Sequence, residues 1–328
     1  MNFSIIVPVF NRPDEVDELL DSLSLQTYKN FEVVIIEDGS QVTCKQAVEK
    51  FSTLLNITYF EKPNSGPGTT RNYGAERASG DYFIFFDSDC IIPPQYMQVV
   101  HTTLSEHFVD CFGGPDDAHP SFTNWQKAVN YSMTSVLTTG GIRGKISPEK
   151  FHPRSFNMGY SRLVFERTGG YSTMRFGEDI DMTLRIKEEG FKTTLIKEAF
   201  VYHKRRTDFR KFYKQVFNSG VARINLFKRH PQSLKLVHLL PALFLAGSVI
   251  LALASIFFPL LLLPLVAYGV ALFVHSLASR NSFSVAVLSI PAAFIQLYGY
   301  GAGFWKAFII RILLGKDEFH SFKKNFYK

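Results

Sequence analysis

The first ninety residues alternate between short apolar runs and stretches with helical spacing. Phe3 to Val9, Phe31 to Glu37, Ile57 to Phe60 and Tyr82 to Phe86 are β-branched or aromatic runs of strand length. Between the first two, Val16, Leu19, Leu20 and Leu23 fall at i, i+3, i+4 and i+7, and Pro13 precedes them as a helix starter. Nearly continuous apolar strands alternating with helices predict an α/β fold whose central sheet is mainly parallel and covered on both faces. Such sheets bind ligands beyond the carboxyl ends of their strands.

Polar residues gather where those strands stop. Asn11 and Arg12 follow the first, Asp38-Gly39-Ser40 the second, and Asp87-Ser88-Asp89 the fourth. Loops after successive parallel strands converge, so these groups are expected to share one cleft. A second acidic pair, Glu178-Asp179, precedes a helical stretch expected from Asp181 to Glu189 and stopped by Gly190.

The pattern changes at Leu236. From there to about Gly303 almost the only charge is Arg280. Leu236 to Ala278 is too long for one crossing, because roughly 20 helical residues span a hydrocarbon core of about 30 Å. Two transmembrane helices broken near Pro259 and Pro264 are expected. Phe283 to Gly303, with Pro291, Gln296 and three glycines, reads as a third crossing or as an interfacial helix. Two crossings keep Arg280 and the basic tail on the starting side, which favours the interfacial alternative. The predicted division is a catalytic domain over residues 1–229 and a membrane anchor over 230–328.

The net charge of +7 is concentrated around this greasy region, from Lys204, Arg205 and Arg206 to Lys235 before it and from Arg311 to Lys323, Lys324 and Lys328 after it. That placement suits an anionic cytoplasmic leaflet. No recognised nucleic-acid motif accompanies the charge, so nucleic acid is not an expected partner. Cys44, Cys90 and Cys111 have no metal-ligand spacing, and their odd number makes a poor disulfide framework, which points to reduced thiols. The chain opens on a strand without a leader-like segment, so the catalytic part is expected to face the cytoplasm at the inner membrane.

Several residues can carry chemistry. Asp87-x-Asp89 after an apolar strand suits a hard cation such as Mg2+ or Mn2+ that also bridges a diphosphate, with alternation placing both carboxylates on one side. The same residues could simply form a turn. Asp38 is either a turn residue or an acceptor for a nucleobase or ribose. Arg71, after Gly66-Pro67-Gly68-Thr69-Thr70, either approaches a phosphate or serves as an ion-pair partner. His203, in Val201-Tyr202-His203, is a structural residue or a metal ligand.

In order along the chain come Val-Pro-Val-Phe-Asn at 7 to 11, Glu-Asp-Gly-Ser at 37 to 40, Gly-x-x-x-x-Arg-Asn-x-Gly at 66 to 74, and Gly-Asp at 80 to 81 leading to Asp-Ser-Asp at 87 to 89. Asn-Met at 157 to 158 and Gly-Gly-Tyr at 169 to 171 leading to Gly-Glu-Asp at 177 to 179 complete the series. Through about residue 229 the chain resembles the inverting family 2 glycosyltransferases of GT-A fold. The resemblance implies a nucleotide-sugar donor site that includes Pro8, Val9, Asn11, Asp38, Arg71, Asp87 and Ser88. It further implies a metal held by Asp89, with His203 in the position of a late histidine ligand, and Asp179 as general base beside Glu178. The Gln-x-x-Arg-Trp of processive synthases is absent, since Gln215 is followed by Val-Phe-Asn-Ser. Single-sugar transfer from a UDP-sugar to a hydroxyl of a glycan or lipid-linked acceptor is therefore expected. Transfer to a polyprenyl phosphate and a non-catalytic scaffold are the alternatives.

Overall fold

A computed structural model describes residues 1–139, 151–204 and 207–318. Arg205, Arg206, Lys323, Lys324 and Lys328 of the predicted basic flanks lie outside the described residues. The chain forms two compact units, one from the described parts of Met1–His119 and Gly144–Lys204, the other from those of Pro120–Arg143 and Arg205–Lys328.

In the first unit β1 (Phe3–Val9), β2 (Phe31–Asp38), β3 (Asn56–Lys62) and β4 (Tyr82–Phe86) pair in parallel in the order β3-β2-β1-β4. Short strands β5 (Cys90–Ile91), β6 (Cys111–Gly113), β7 (Asp116–Asp117), β8 (Asn157–Ser161), β9 (Thr193–Leu195) and β10 (Val201–His203) follow. β8 pairs antiparallel with β4 and β6, and β9 closes the seven-stranded sheet in parallel with β6.

The two-residue period of β1 divides the core. Phe3, Ile5, Val7 and Val9 point to the face covered by α1 (Pro13–Ser24), α2 (Lys45–Phe51) and, behind α3 (Pro67–Arg77) in the chain, α4 (Tyr96–Glu106). Ile6 points to the other face, where Ala75 of α3 packs with residues of helices from the second half of the unit. Each such side chain, fully buried, contributes about 1.5–3 kcal/mol of hydrophobic stabilisation.

The second unit begins with α5 (Asn124–Thr134), capped by reciprocal hydrogen bonding between Thr123 and Gln126, and the single turn α6 (Val136–Thr139). The first unit then contributes α7 (Arg162–Thr168) and α8 (Glu178–Glu188), the two helices whose Val164, Met182 and Ile186 complete the Ile6 face. Returning to the second unit, α9 (Phe209–Arg229) is followed by α10 (Leu240–Ala254), α11 (Leu263–Ala278) and α12 (Phe283–Phe308), which ends in a π-helical turn, Ile309–Leu313. Pro259–Ala278 and Phe283–Leu313 are long and apolar enough to cross a membrane, whereas α10 has 15 residues.

Three local expectations change. The break at Pro259 is real and forms a 3-10 turn, Pro259–Leu262, but Pro264 sits in the first turn of α11, where a missing N–H costs nothing. Glu178 and Asp179 do not precede their helix; they form its first turn. Gly177, at φ +79°, turns the chain, and carboxylates at a helix N-terminus favour the dipole. The expected boundary at 229 falls at the end of α9, and α9 itself packs within the second unit.

Candidate active site

The loops after β1, β2, β3 and β4 are tied to one another by side chains. Asn11, at φ +53°, accepts hydrogen bonds from the backbone N–H groups of Gln41 (2.7 Å) and Val42 (3.1 Å), and its own N–H donates to Ser40 Oγ at 2.8 Å. Ser40 in turn donates to Glu37. Pro8 is half-buried at the end of β1, and the Val9 side chain lies in the core, which leaves its backbone facing the loops.

Asp38 is buried at the end of β2, and both of its carboxylate oxygens are engaged. Oδ1 takes the Lys62 ammonium at 2.5 Å and the Ser65 N–H at 2.8 Å; Oδ2 takes the Gly66 N–H at 2.9 Å. Asp38 therefore shapes the turn that leads into α3. Gly39 permits that turn, because at φ +76° a Cβ would meet the Asn64 nitrogen at 2.8 Å.

Arg71 projects from α3 and is 3% exposed. Its guanidinium donates to Asp87 Oδ1 at 2.6 Å and to Glu178 Oε1 at 3.3 Å, and lies 5.4 Å from the Tyr171 ring centroid. Burial opposes its charge, but the Asp87 carboxylate, Tyr171 and Glu178 outweigh that and raise its affinity for the proton. Of the two readings open from sequence, the ion pair is the one this geometry contains. Arg71 joins the aspartate after β4 to the acidic pair on α8.

Asp87 and Asp89 have different partners in this structure. The strand ends at Phe86, the next residues form a turn, and the two-residue period ends with it. Asp87 turns to Arg71, while Asp89 Oδ1 lies 3.1 Å from His203 Nε2 and its Oδ2 lies 3.4 Å from Arg12. Ser88 between them is buried. The antiparallel pairing of β10 with β5 sets Cys90 opposite His203, which is how residues more than a hundred positions apart meet. The His203 ring stacks on Phe156 at 4.5 Å, and its Nδ1 is buried without a hydrogen bond among the described residues.

Asp89, Cys90 and His203 bring one ligand atom each within 4.8 Å of the others. The donor set fits a divalent ion through carboxylate and imidazole. Cys90 is a poor third ligand for a hard cation. Its Sγ contacts the Phe156 carbonyl at 3.6 Å, and burial, followed by the charges of Asp89 and Asp87, pushes the thiol well above its ordinary value.

Neighbours in sequence, Glu178 and Asp179 have different partners. Asp179 Oδ2 is 2.6 Å from Arg154 Nε, and its Oδ1 accepts the Ile180 N–H. Glu178 rests on Arg71 and is pushed up to about 7, by burial first and the Asp179 charge second, with Arg71 opposing. Arg12 was expected in the shared cleft without a stated role, and Lys62 and Arg154 were not expected at the site. Arg12 and Lys62 stand at strand ends, the one available signal; Arg154 carried none.

Other motif residues hold the frame. Asn72 makes two 2.8 Å hydrogen bonds with the Tyr171 backbone, clasping α3 to the Gly169-Gly170-Tyr171 segment. Asn157 accepts from Tyr96 at 2.6 Å and donates to Ala199 at 2.8 Å.

With this geometry in view, the Glycosyl transferase family 2 profile matches residues 4–169, half of the chain. The chain belongs to that family. Glycosyltransferase AglE of Haloferax volcanii is 26% identical over 260 residues, 74% of this chain and 80% of its own length. An uncharacterized glycosyltransferase of Haemophilus influenzae is 30% identical over 209 residues, 61% of this chain and 67% of its own. Other relatives align over shorter stretches, one of them over 33% of this chain but 16% of its own length. In fold, the glycosyltransferase is similar to the mannosyltransferase PcManGT of Pyrobaculum calidifontis, solved with GDP-Man and Mn2+, at a TM-score of 0.63 and 19% identity over 90% of this chain and 87% of that one.

Proposed function

We propose that this glycosyltransferase moves a sugar from a nucleotide-diphosphate sugar to a hydroxyl of a glycan or lipid-linked acceptor, with inversion at the anomeric carbon. The observation that carries the reading is the pairing of two acidic centres by one buried guanidinium: Arg71 bonds both Asp87, beside Asp89 and His203, and Glu178, beside Asp179. One centre suits the leaving group and the other the incoming hydroxyl. A UDP-sugar is the donor expected from the family resemblance. The Mn2+ and GDP-Man carried by PcManGT are compatible with a metal-assisted nucleotide-sugar site.

Asp89 and His203 would hold Mg2+ or Mn2+, which supplies positive charge to the departing diphosphate. Pro8, Val9, Asn11, Asp38 and Ser88 border the donor. Asp38 Oδ2, which accepts only the Gly66 N–H, keeps acceptor capacity for a base or ribose. Asp179 accepts the proton of the attacking hydroxyl, and Arg154 holds its carboxylate in place. A second reading makes Glu178 the base, because burial and the Asp179 charge tune it to about 7, near the pH at which it would work.

Asp179→Asn separates the two. With Asp179 as base, nucleotide affinity measured by calorimetry is retained, while product formation falls roughly 100-fold or more. Parallel loss of both would transfer the role to Glu178. Unchanged turnover would remove the need for a base and favour an acceptor that is already ionised, such as polyprenyl phosphate. The apolar helices of the second unit and its basic residues support attachment to the inner membrane with the catalytic unit in the cytoplasm.

A further inference from the structure

The second unit contains a helical hairpin whose two ends differ in kind. The connection between α11 and α12 is Ser279-Arg280-Asn281-Ser282, a polar turn. The connection between α10 and α11 is Ser255-Ile256-Phe257-Phe258-Pro259-Leu260-Leu261-Leu262, with Ser255 its sole polar side chain. Among the described residues of the unit these tip residues are also the most exposed large hydrophobic ones after Leu236: Phe257 is 79%, Leu260 75% and Ile256 73% exposed. A turn that emerged into water beyond a membrane would carry polar residues.

Much of the tip's backbone is hydrogen-bonded within the turn. Ser255 N–H bonds Leu251 at 2.9 Å, Phe258 N–H bonds Ala254 at 3.0 Å, and Leu261 N–H bonds Phe258 at 3.0 Å. Pro259 has no N–H, Leu263 N–H closes on Leu260, and the Ser255 hydroxyl donates to Ala252 at 2.7 Å. Each backbone group bonded within the turn lowers the cost of placing that turn in hydrocarbon.

The base of the hairpin rests on α12. Gly301 lies against Pro241 and Leu245 of α10, where a Cβ would meet the Pro241 carbonyl at 2.6 Å, and Ser276 of α11 bonds Ser289 at 3.2 Å. α12 in turn lies along α9. Gly299 meets Val216, a Cβ on Gly303 would stand 1.9 Å from the Phe217 carbonyl, and Arg311 bonds Asn225 at 3.0 Å. α9 carries Arg210, Lys211, Lys214, Arg223, Lys228 and Arg229. Charges in that number exclude α9 from the hydrocarbon, and the contacts hold the second half of α12 at the same depth. From Leu245 to the end of α10 at Ala254 the hairpin then rises only about 13 Å, at 1.5 Å per residue, against a core of about 30 Å.

We propose that α10 and α11 form a re-entrant hairpin: it enters the bilayer from the side of α9, turns near the midplane at Phe257–Leu260, and returns without crossing. Its ligand is lipid hydrocarbon, and α12 lies in the interface beneath it. The inference rests on the membrane reading of the second unit and replaces its two crossings by none. Pro259–Ala278 satisfies the length and composition of a span only by counting the apolar turn as part of the helix.

The test uses the full chain with single added cysteines, Leu260→Cys at the tip and Ser279→Cys at the base. The native Cys44, Cys90 and Cys111 are buried and give little background. An impermeant maleimide is applied to intact cells and to inside-out vesicles, with denatured protein as the full-labelling control. The expected result is that Leu260→Cys labels at least tenfold more slowly than Ser279→Cys in inside-out vesicles and does not label in intact cells. Labelling of Leu260→Cys in intact cells would overturn the re-entrant hairpin and leave two crossings standing. Recovery of the protein in the soluble fraction, with both positions reactive, would overturn the membrane reading itself.

Discussion

Glu178 and Asp179 show how far a side chain's chemistry is set by which way its Cα points. Side by side on the first turn of α8, one faces Arg71 and the other Arg154. Because Glu178 is held at about 7 in the folded chain, above its ordinary 4.5, folding favours its protonated form. That contribution is complete below about pH 4.5 and is lost as pH rises through 7, up to about 3 kcal/mol. The melting temperature of Glu178→Gln relative to wild type should therefore rise between pH 5 and pH 8; a pH-independent difference would remove the shift. At the proposed metal site, Asp89→Ala should abolish turnover that depends on added Mn2+, and His203→Ala should weaken the Mn2+ titration. Cys90→Ser should leave both intact, because the buried thiol is not a ligand for a hard ion. Wild-type turnover undiminished by EDTA would sink the centre. The sequence made Asp89 and His203 legible as candidates through chemistry and motif order, but their pairing is a consequence of β10 lying antiparallel to β5, which three-residue and two-residue strands do not announce.

Among the elements, the long apolar ones were legible and the short ones were not. β1 and β4 begin and end where their apolar runs do, since burial on both faces leaves Ser4 as the single polar side chain inside them. The start of α8 was misplaced because the carboxylates that begin it look like loop residues in sequence and are N-terminal residues in fact. Part of the motif series joins elements to one another. Asn72 is the clearest case, with its amide bonded at both ends to the Tyr171 backbone and Gly170 packed so closely that a Cβ would meet Asn72 Oδ1 at 2.4 Å. Asn72→Ala should cost about 1–3 kcal/mol by leaving two backbone groups without partners. Denaturant unfolding would measure it. Loss of catalysis with full stability would instead assign Asn72 to the substrates.

At the scale of the whole molecule, two forces that respond differently to salt bear on where the glycosyltransferase resides. In the proposed arrangement the apolar hairpin would bind hydrocarbon with a strength that salt does not screen. The basic residues of α9 would attract anionic headgroups by about 1 kcal/mol each when close to the surface, and the Debye length limits that attraction to about 10 Å at 0.1 M. Flotation with neutral vesicles should therefore persist at high salt, and anionic lipid should add a component that fades as salt is raised. Arg210 and Lys211 are exposed near the start of α9, so their joint replacement by glutamate should remove part of the salt-sensitive component and leave binding to neutral vesicles unchanged. Replacing Ile256, Phe257 and Leu260 by serine should do the reverse, because it withdraws apolar area worth about 25 cal/mol per Å² without altering charge. If the charge variant lost neutral-vesicle binding, α9 would be a structural support of the hairpin rather than a second contact with the membrane. If the serine variant retained it, the tip would lie outside the hydrocarbon and attachment would depend on α12.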